Sequence, residues 1–140
     1  MSRKPHGFLG WLVLLLLVWN AGGGILRAIG AWQQRALLPT VGLPGWLPWY
    51  LLAAGALTAL LSLGAFISLY ARRKQAILLA WVVLVVTVSG YWLERLLLWA
   101  PEQRSGNVIF MVSFHVLCLS ALGCYTYRES KMRGEYGSGD

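Results

Sequence analysis

Hydrophobic and polar positions along the chain separate into four long apolar stretches, over roughly residues 8–26, 49–70, 76–99 and 108–127, divided by short polar or glycine- and proline-rich segments. Each stretch is close to the ~20 residues a helix needs to cross a bilayer core. Each is continuously apolar, whereas the strands of a membrane barrel would alternate between apolar and polar positions. The pattern predicts an all-α integral membrane bundle of four transmembrane helices. A single domain fills 1–140, with a flexible cytoplasmic tail over 128–140.

The segment after the first span breaks the pattern. Gly22, Gly23 and Gly24 are followed by Ile25, Ile29, Trp32 and Ala36 at helical spacing, with Arg27, Gln33 and Gln34 largely elsewhere on the wheel. This predicts a short amphipathic helix in the outer interface, or a bent extension of the first span, with the glycines permitting the bend. Pro39, Gly42, Pro44, Gly45 and Pro48 mark a loop. Trp32, Trp46, Trp49, Tyr50, Tyr91, Trp92 and Trp99 form an outer aromatic belt, and Tyr70, Tyr125 and Tyr127 an inner one. Pro101 and Gly106 frame the last outer loop. The Ala71–Gln75 turn is short enough to make spans two and three antiparallel neighbours.

Charge orients the bundle. Of the 12 Lys and Arg residues, Arg3, Lys4, Arg72, Arg73, Lys74, Arg128, Lys131 and Arg133 fall at the N-terminus, the middle loop and the tail, while Arg27, Arg35, Arg95 and Arg104 fall on the other side. This asymmetry close to span ends places both termini in the cytoplasm. The net charge of +7 thus reads as attraction to anionic lipids on the cytoplasmic face rather than to nucleic acid. Only 12% of residues are charged, half the usual ~25% of soluble domains. The expected setting is the cytoplasmic (inner) membrane of a prokaryote. Arg3 and Lys4 before an apolar run resemble a secretory leader. Cleavage after Ala21 would, however, place Trp19 where a small residue is wanted, so a retained signal-anchor helix is expected. Cys118 and Cys124, six residues apart on one helix, sit about 9 Å and 240° from each other and cannot bridge.

Candidate chemistry is sparse. At ~1.5 Å per residue, Asn20, Thr58, Ser62, Thr87, Ser89 and His115 fall near one mid-membrane level. They form either a midplane ligand or ion layer or interhelical hydrogen-bond glue. His115 is expected to point inward, toward Asn20 and the level of Ser89. Met111, His115 and Cys118 share a helix face at i, i+4 and i+7, a soft-ligand set for a transition metal; His115 alone offers an axial ligand to haem or a chlorophyll-type pigment. Arg27 and Glu94 lie at matching depths of about 28 and 27 Å and are expected to pair at the outer interface. Ala54, Thr58, Ser62 and Ala65 form a small-residue stripe suited to close helix packing. A faint parallel repeat relates Arg27, Trp32, Gln34 and Arg35 to Arg95, Trp99, Gln103 and Arg104. Catalytic signatures such as Gly-x-Ser-x-Gly, His-Glu-x-x-His or a phosphate-cradling loop do not occur. Of five acidic residues, three are in the tail, which leaves no acid pair for general acid/base work. The expected role is therefore a non-enzymatic accessory or scaffold subunit packed against other membrane helices or against itself. A small oligomeric transporter or channel using the midplane layer comes second, and a haem- or pigment-binding subunit through His115 third.

Overall fold

A computed structural model describes residues 7–99 and 106–137, with side chains to 131. Prolines, glycines and turn residues set the helix ends. Helix α1 (Phe8–Gln34) starts after Gly7. A four-residue α2 (Leu37–Thr40) follows, before α3 (Leu47–Tyr70), which has proline in its first turn, where a missing N–H costs nothing. Helix α4 (Ala76–Leu97) and α5 (Val108–Gly137) complete the set. Helix α3 closes in a Schellman motif: the Arg73 N–H donates to the Ser68 carbonyl, at 2.9 Å, and the Arg72 N–H to that of Leu69, at 3.0 Å. The motif wants glycine at its left-handed position, yet Arg72 occupies it with φ of 53°.

The four long helices form an up-and-down ring in which α1 packs on α3, α3 on α4, α4 on α5 and α5 back on α1. Helices α1 and α4 run parallel, since Asn20 meets Thr87 and Arg27 meets Glu94. Gly7 lies near the Arg128 guanidinium, so the start of α1 and the later half of α5 share one end of the bundle. That end carries Arg72, Arg73, Lys74, Arg128 and Lys131. Arg27, Arg35 and Arg95 lie toward the other. Arg3, Lys4, Pro101, Gln103 and Arg104 lie outside the described residues, as does the side chain of Arg133.

All four long helices have the length and composition to cross a membrane, and in each only 17–33% of the most apolar window is buried inside the bundle. The remainder presents leucine, valine and aromatic side chains outward, which identifies lipid as the surrounding solvent. The core, Val13, Leu14, Leu17, Ala65, Leu69, Ala76, Ala80, Val83, Ala121 and Leu122, lies toward the end bearing the termini and is rich in alanine. In lipid, burying apolar surface gives little drive, and close backbone packing takes its place. The tightest approach joins α1 and α3. A Cβ on Gly24 would sit 2.7 Å from both the Ala59 nitrogen and the Gly55 oxygen, and one on Gly55 would sit 2.7 Å from the Gly24 oxygen.

Three expectations change. Gly22–Gly24 do not end the first helix: α1 continues unbroken to Gln34, because Gly24 serves the α3 contact. Of the two arrangements expected for residues 25–36, the extension is the one found, with Ile25, Ile29 and Trp32 exposed on its outer face. The last helix does not stop at Tyr127 but runs to Gly137. Residues 128–133 contain good helix formers and no proline, and the Ser130 hydroxyl bonds the Tyr127 carbonyl at 2.9 Å. The small-residue stripe is rotated: Gly55, Ala59, Ser62 and Ala65 are the buried small residues of α3, while Ala54 and Thr58 are half-buried on its flank. Glycine and alanine spaced every three or four residues fit either phase, and only the partner helix selects one.

Candidate functional site

A polar side chain on a membrane helix needs a partner inside the bundle, because hydrocarbon offers none. Asn20 finds two. Its amide nitrogen donates to Ser62 Oγ at 2.9 Å and to Thr87 Oγ1 at 3.2 Å, tying α1 to both α3 and α4. Thr87 spends its own hydroxyl proton on the Val83 carbonyl at 2.8 Å. Its oxygen must therefore accept from Asn20, which fixes the orientation of the amide. Thr58 is half-buried about a turn before Ser62, and Ser89 is exposed. Two residues beyond Thr87 is a rotation of about 200°, so Ser89 cannot share its face. The expected six-residue layer is thus a three-residue hydrogen-bonded cluster, with His115 facing inward onto a cavity it shares with Asn20 and Thr87.

His115 is buried, 7% exposed, but its partner is not Asn20. The Trp92 indole N–H donates to His115 Nδ1 at 3.2 Å, leaving the proton of the neutral ring on Nε2. The imidazole also meets Tyr91 edge-on, with centroids 5.4 Å apart. His115, Cys118, Asn20 and Thr87 line a cavity of about 60 Å³ between α1, α4 and α5, with Leu17, Val83 and Phe114 among its apolar walls. A water occupies about 30 Å³ of liquid, and organic ligands fill pockets of about 300 Å³ or more. The space suits one or two waters and falls far short of a haem or pigment ring. Met111 is half-buried outside this lining, so the soft-ligand face divides. Among the described residues, no three His, Cys, Asp or Glu side chains gather as a metal site. Cys118 and Cys124 are both free thiols.

Toward the other end, Arg27 Nη2 lies 2.7 Å from Glu94 Oε2, and the Tyr50 hydroxyl donates to Glu94 Oε1 at 2.8 Å. One carboxylate thereby joins α1, α3 and α4. The next residue, Arg95, is 2% exposed. Its guanidinium bonds the Tyr91 hydroxyl and the Gly106 carbonyl and sits 5.0 Å from the Trp99 ring centre and 5.7 Å from those of Tyr91 and Trp92. Aromatic faces and hydrogen bonds compensate the buried charge, and the bond to Gly106 ties α4 to the start of α5. Tyr91 and Trp92 are half-buried and connect Arg95 to His115, so they belong to an internal cage, not to the outer belt. Trp32–Trp49 and Trp46–Tyr50, each meeting edge-on about 6 Å apart, remain in that belt.

The sequence suggests other roles for Arg95, Tyr50 and Gly24, and nothing in it singles out Gly55 and Ala59. A signal for Arg95 exists: Tyr91, Trp92 and Trp99 stand four and three residues before it and four after, a spacing that on a continuous helix would gather three rings around one cation. No protein-family model matches the chain, and comparisons with curated proteins and with solved structures give no significant match; the functional reading therefore rests on the chemistry of these residues alone.

Proposed function

We propose that this multi-pass membrane protein is a non-enzymatic accessory or scaffold subunit that associates through its lipid-facing surface with other membrane helices. One observation carries the reading: the interior polar groups bond one another. Asn20 binds Ser62 and Thr87, Trp92 binds His115, and Arg27 and Tyr50 share Glu94. The space among them is about 60 Å³. Such an interior fixes helix register and leaves little capacity for an organic substrate. The outward faces keep capacity for partners, carrying exposed Trp11, Trp19, Leu57, Leu60 and Leu78 beside Gly23, Gly64 and Gly123, around whose Cβ positions there is open space. A glycine that contacts nothing inside its own bundle weakens its helix, and a neighbouring helix packed against it offsets that cost.

The bundle sits in the cytoplasmic membrane of a prokaryote with both termini cytoplasmic, by the segregation of Arg72, Arg73, Lys74, Arg128 and Lys131 to one end. Cysteines introduced at Ser2 and Ser138 should resist an impermeant thiol reagent in intact cells, and one at Thr40 should react; the reverse pattern inverts the orientation. For the role itself, extraction in a membrane-patch polymer followed by mass determination should find the 15.5 kDa chain in an assembly with a defined stoichiometry of other membrane polypeptides. Recovery as an oligomer of this chain alone, with ion flux when reconstituted, would replace the scaffold reading with the channel reading.

A further inference from the structure

Helix α3 passes into α4 through a turn of five residues that includes the exposed cations Arg73 and Lys74. Arg73 and Lys74 have no carboxylate partner among the described residues. Their side chains stand at the mouth of a groove of about 380 Å³ that also includes Ser68 and Gln75 and runs down α4 along Leu78 and Val82. Leu78 is 66% and Val82 46% exposed, so the wall is open to lipid. From Ala76 to Val82 the groove descends about 9 Å along the helix. No carboxylate lines it, and Glu129 on α5 has an interaction of its own. The turn fixes the backbone that carries the cations: both Schellman hydrogen bonds are made at 2.9–3.0 Å, and the Ala76 N–H closes onto the Arg73 carbonyl at 3.0 Å.

We propose that this groove is a binding site for one anionic phospholipid. The headgroup phosphate lies on Arg73 and Lys74, and an acyl chain lies along Leu78 and Val82. A guanidinium matches two phosphate oxygens at once, and an adjacent ammonium adds a point charge. The ligand must be amphipathic, because the cavity is cationic at one end and hydrocarbon at the other. Its volume lies within the ~300–1,000 Å³ typical of ligand sites. The site differs from diffuse attraction of the whole basic face in having a defined cation pair and an apolar wall.

The test uses the purified full-length protein in mild detergent, with lipid binding read by native mass spectrometry and by thermal protection. The probes are phosphatidylglycerol, phosphatidylcholine of the same chains, and inorganic phosphate. Phosphatidylglycerol should bind at least about 10-fold more tightly than phosphatidylcholine, and phosphate should give no protection. The R73Q/K74Q double variant should lose about 10- to 30-fold in phosphatidylglycerol affinity, as expected for loss of charge-assisted contacts to one phosphate. The R128Q/K131Q variant, which removes the same charge from the same end, should lose less than about 3-fold. V82W, which fills the groove and leaves the charges, should weaken phosphatidylglycerol binding without changing the melting point of the lipid-free protein. Equal losses in the two charge variants would overturn the proposal in favour of diffuse surface charge. Protection by inorganic phosphate equal to that by lipid, or unchanged binding in V82W, would overturn the acyl-chain half and with it the assignment.

Discussion

Replacing Gly24 with alanine is the sharpest perturbation of the α1–α3 contact. The new Cβ would lie 2.7 Å from two backbone atoms, Ala59 N and Gly55 O. Contacts of this kind normally relax near 3.5 Å, so the helices must separate by about 0.8 Å, and neither atom belongs to a side chain that can swing away. The nearest interhelical hydrogen bond, Asn20 to Ser62 at 2.9 Å, lies one turn from the contact. Stretched by ~0.8 Å it passes beyond hydrogen-bonding distance. Overpacking costs about 1–3 kcal/mol and the lost bond about 0.6 kcal/mol; the better helix propensity of alanine returns up to about 1 kcal/mol. The net loss should be about 1–2 kcal/mol, a shift of roughly 5- to 30-fold in the unfolding equilibrium. Gly23, the preceding residue, has nothing within 4 Å of its Cβ position, so Gly23→Ala should be neutral or stabilising by up to about 1 kcal/mol. Equilibrium unfolding in mixed micelles, followed by tryptophan fluorescence, compares the two. If Gly24→Ala is as stable as Gly23→Ala, the backbone contact does not hold α1 against α3 and the reasoning fails.

Three further outcomes are expected. Arg27→Ala, Glu94→Ala and their double should show a coupling of about 1 kcal/mol in the same assay, whereas additive losses would mean that the pair contributes nothing to register. His115→Phe strands the Trp92 N–H and should cost about 1–3 kcal/mol; adding Trp92→Phe should recover part of that loss, and a further full loss would show that the hydrogen bond is not the operative contact. Arg72→Gly relieves a left-handed residue, worth about 1 kcal/mol, but also removes an interaction that Arg72 makes, so the gain in stability should fall short of that figure; a full gain of about 1 kcal/mol would show that the interaction contributes nothing.

The four helices are legible in the sequence because a bilayer imposes length and apolarity on each of them separately. The depth of Arg27 and Glu94 is equally legible, since rise per residue is fixed; the structure brings them to 2.7 Å. Rotation about each helix axis is what the sequence conceals. Thr87 and Ser89 share a depth but not a face. Ala54 and Thr58 share small size with Gly55 and Ala59, and only the presence of Gly24 opposite them distinguishes the two rows. His115 has a bonding partner at its own depth in Asn20, yet Trp92 on α4 reaches its Nδ1 first. Arg95 next to Glu94 resembles one half of a surface ion pair; its burial depends on Tyr91 and Trp92 of α4, on Trp99 just beyond it and on the Gly106 carbonyl in the turn before α5.

The central claim is that this bundle is closed inside and works through its outer surface. Photo-reactive cross-linking in native membranes tests it directly, with the probe placed singly at the outward positions Leu57, Leu60, Gly64, Leu78 and Val116 and, as an inward control, at Ala65, which is fully buried. The account predicts discrete cross-links to another membrane polypeptide from one contiguous set of outward positions, and only intramolecular products from Ala65. Lipid adducts alone from every outward position would contradict it.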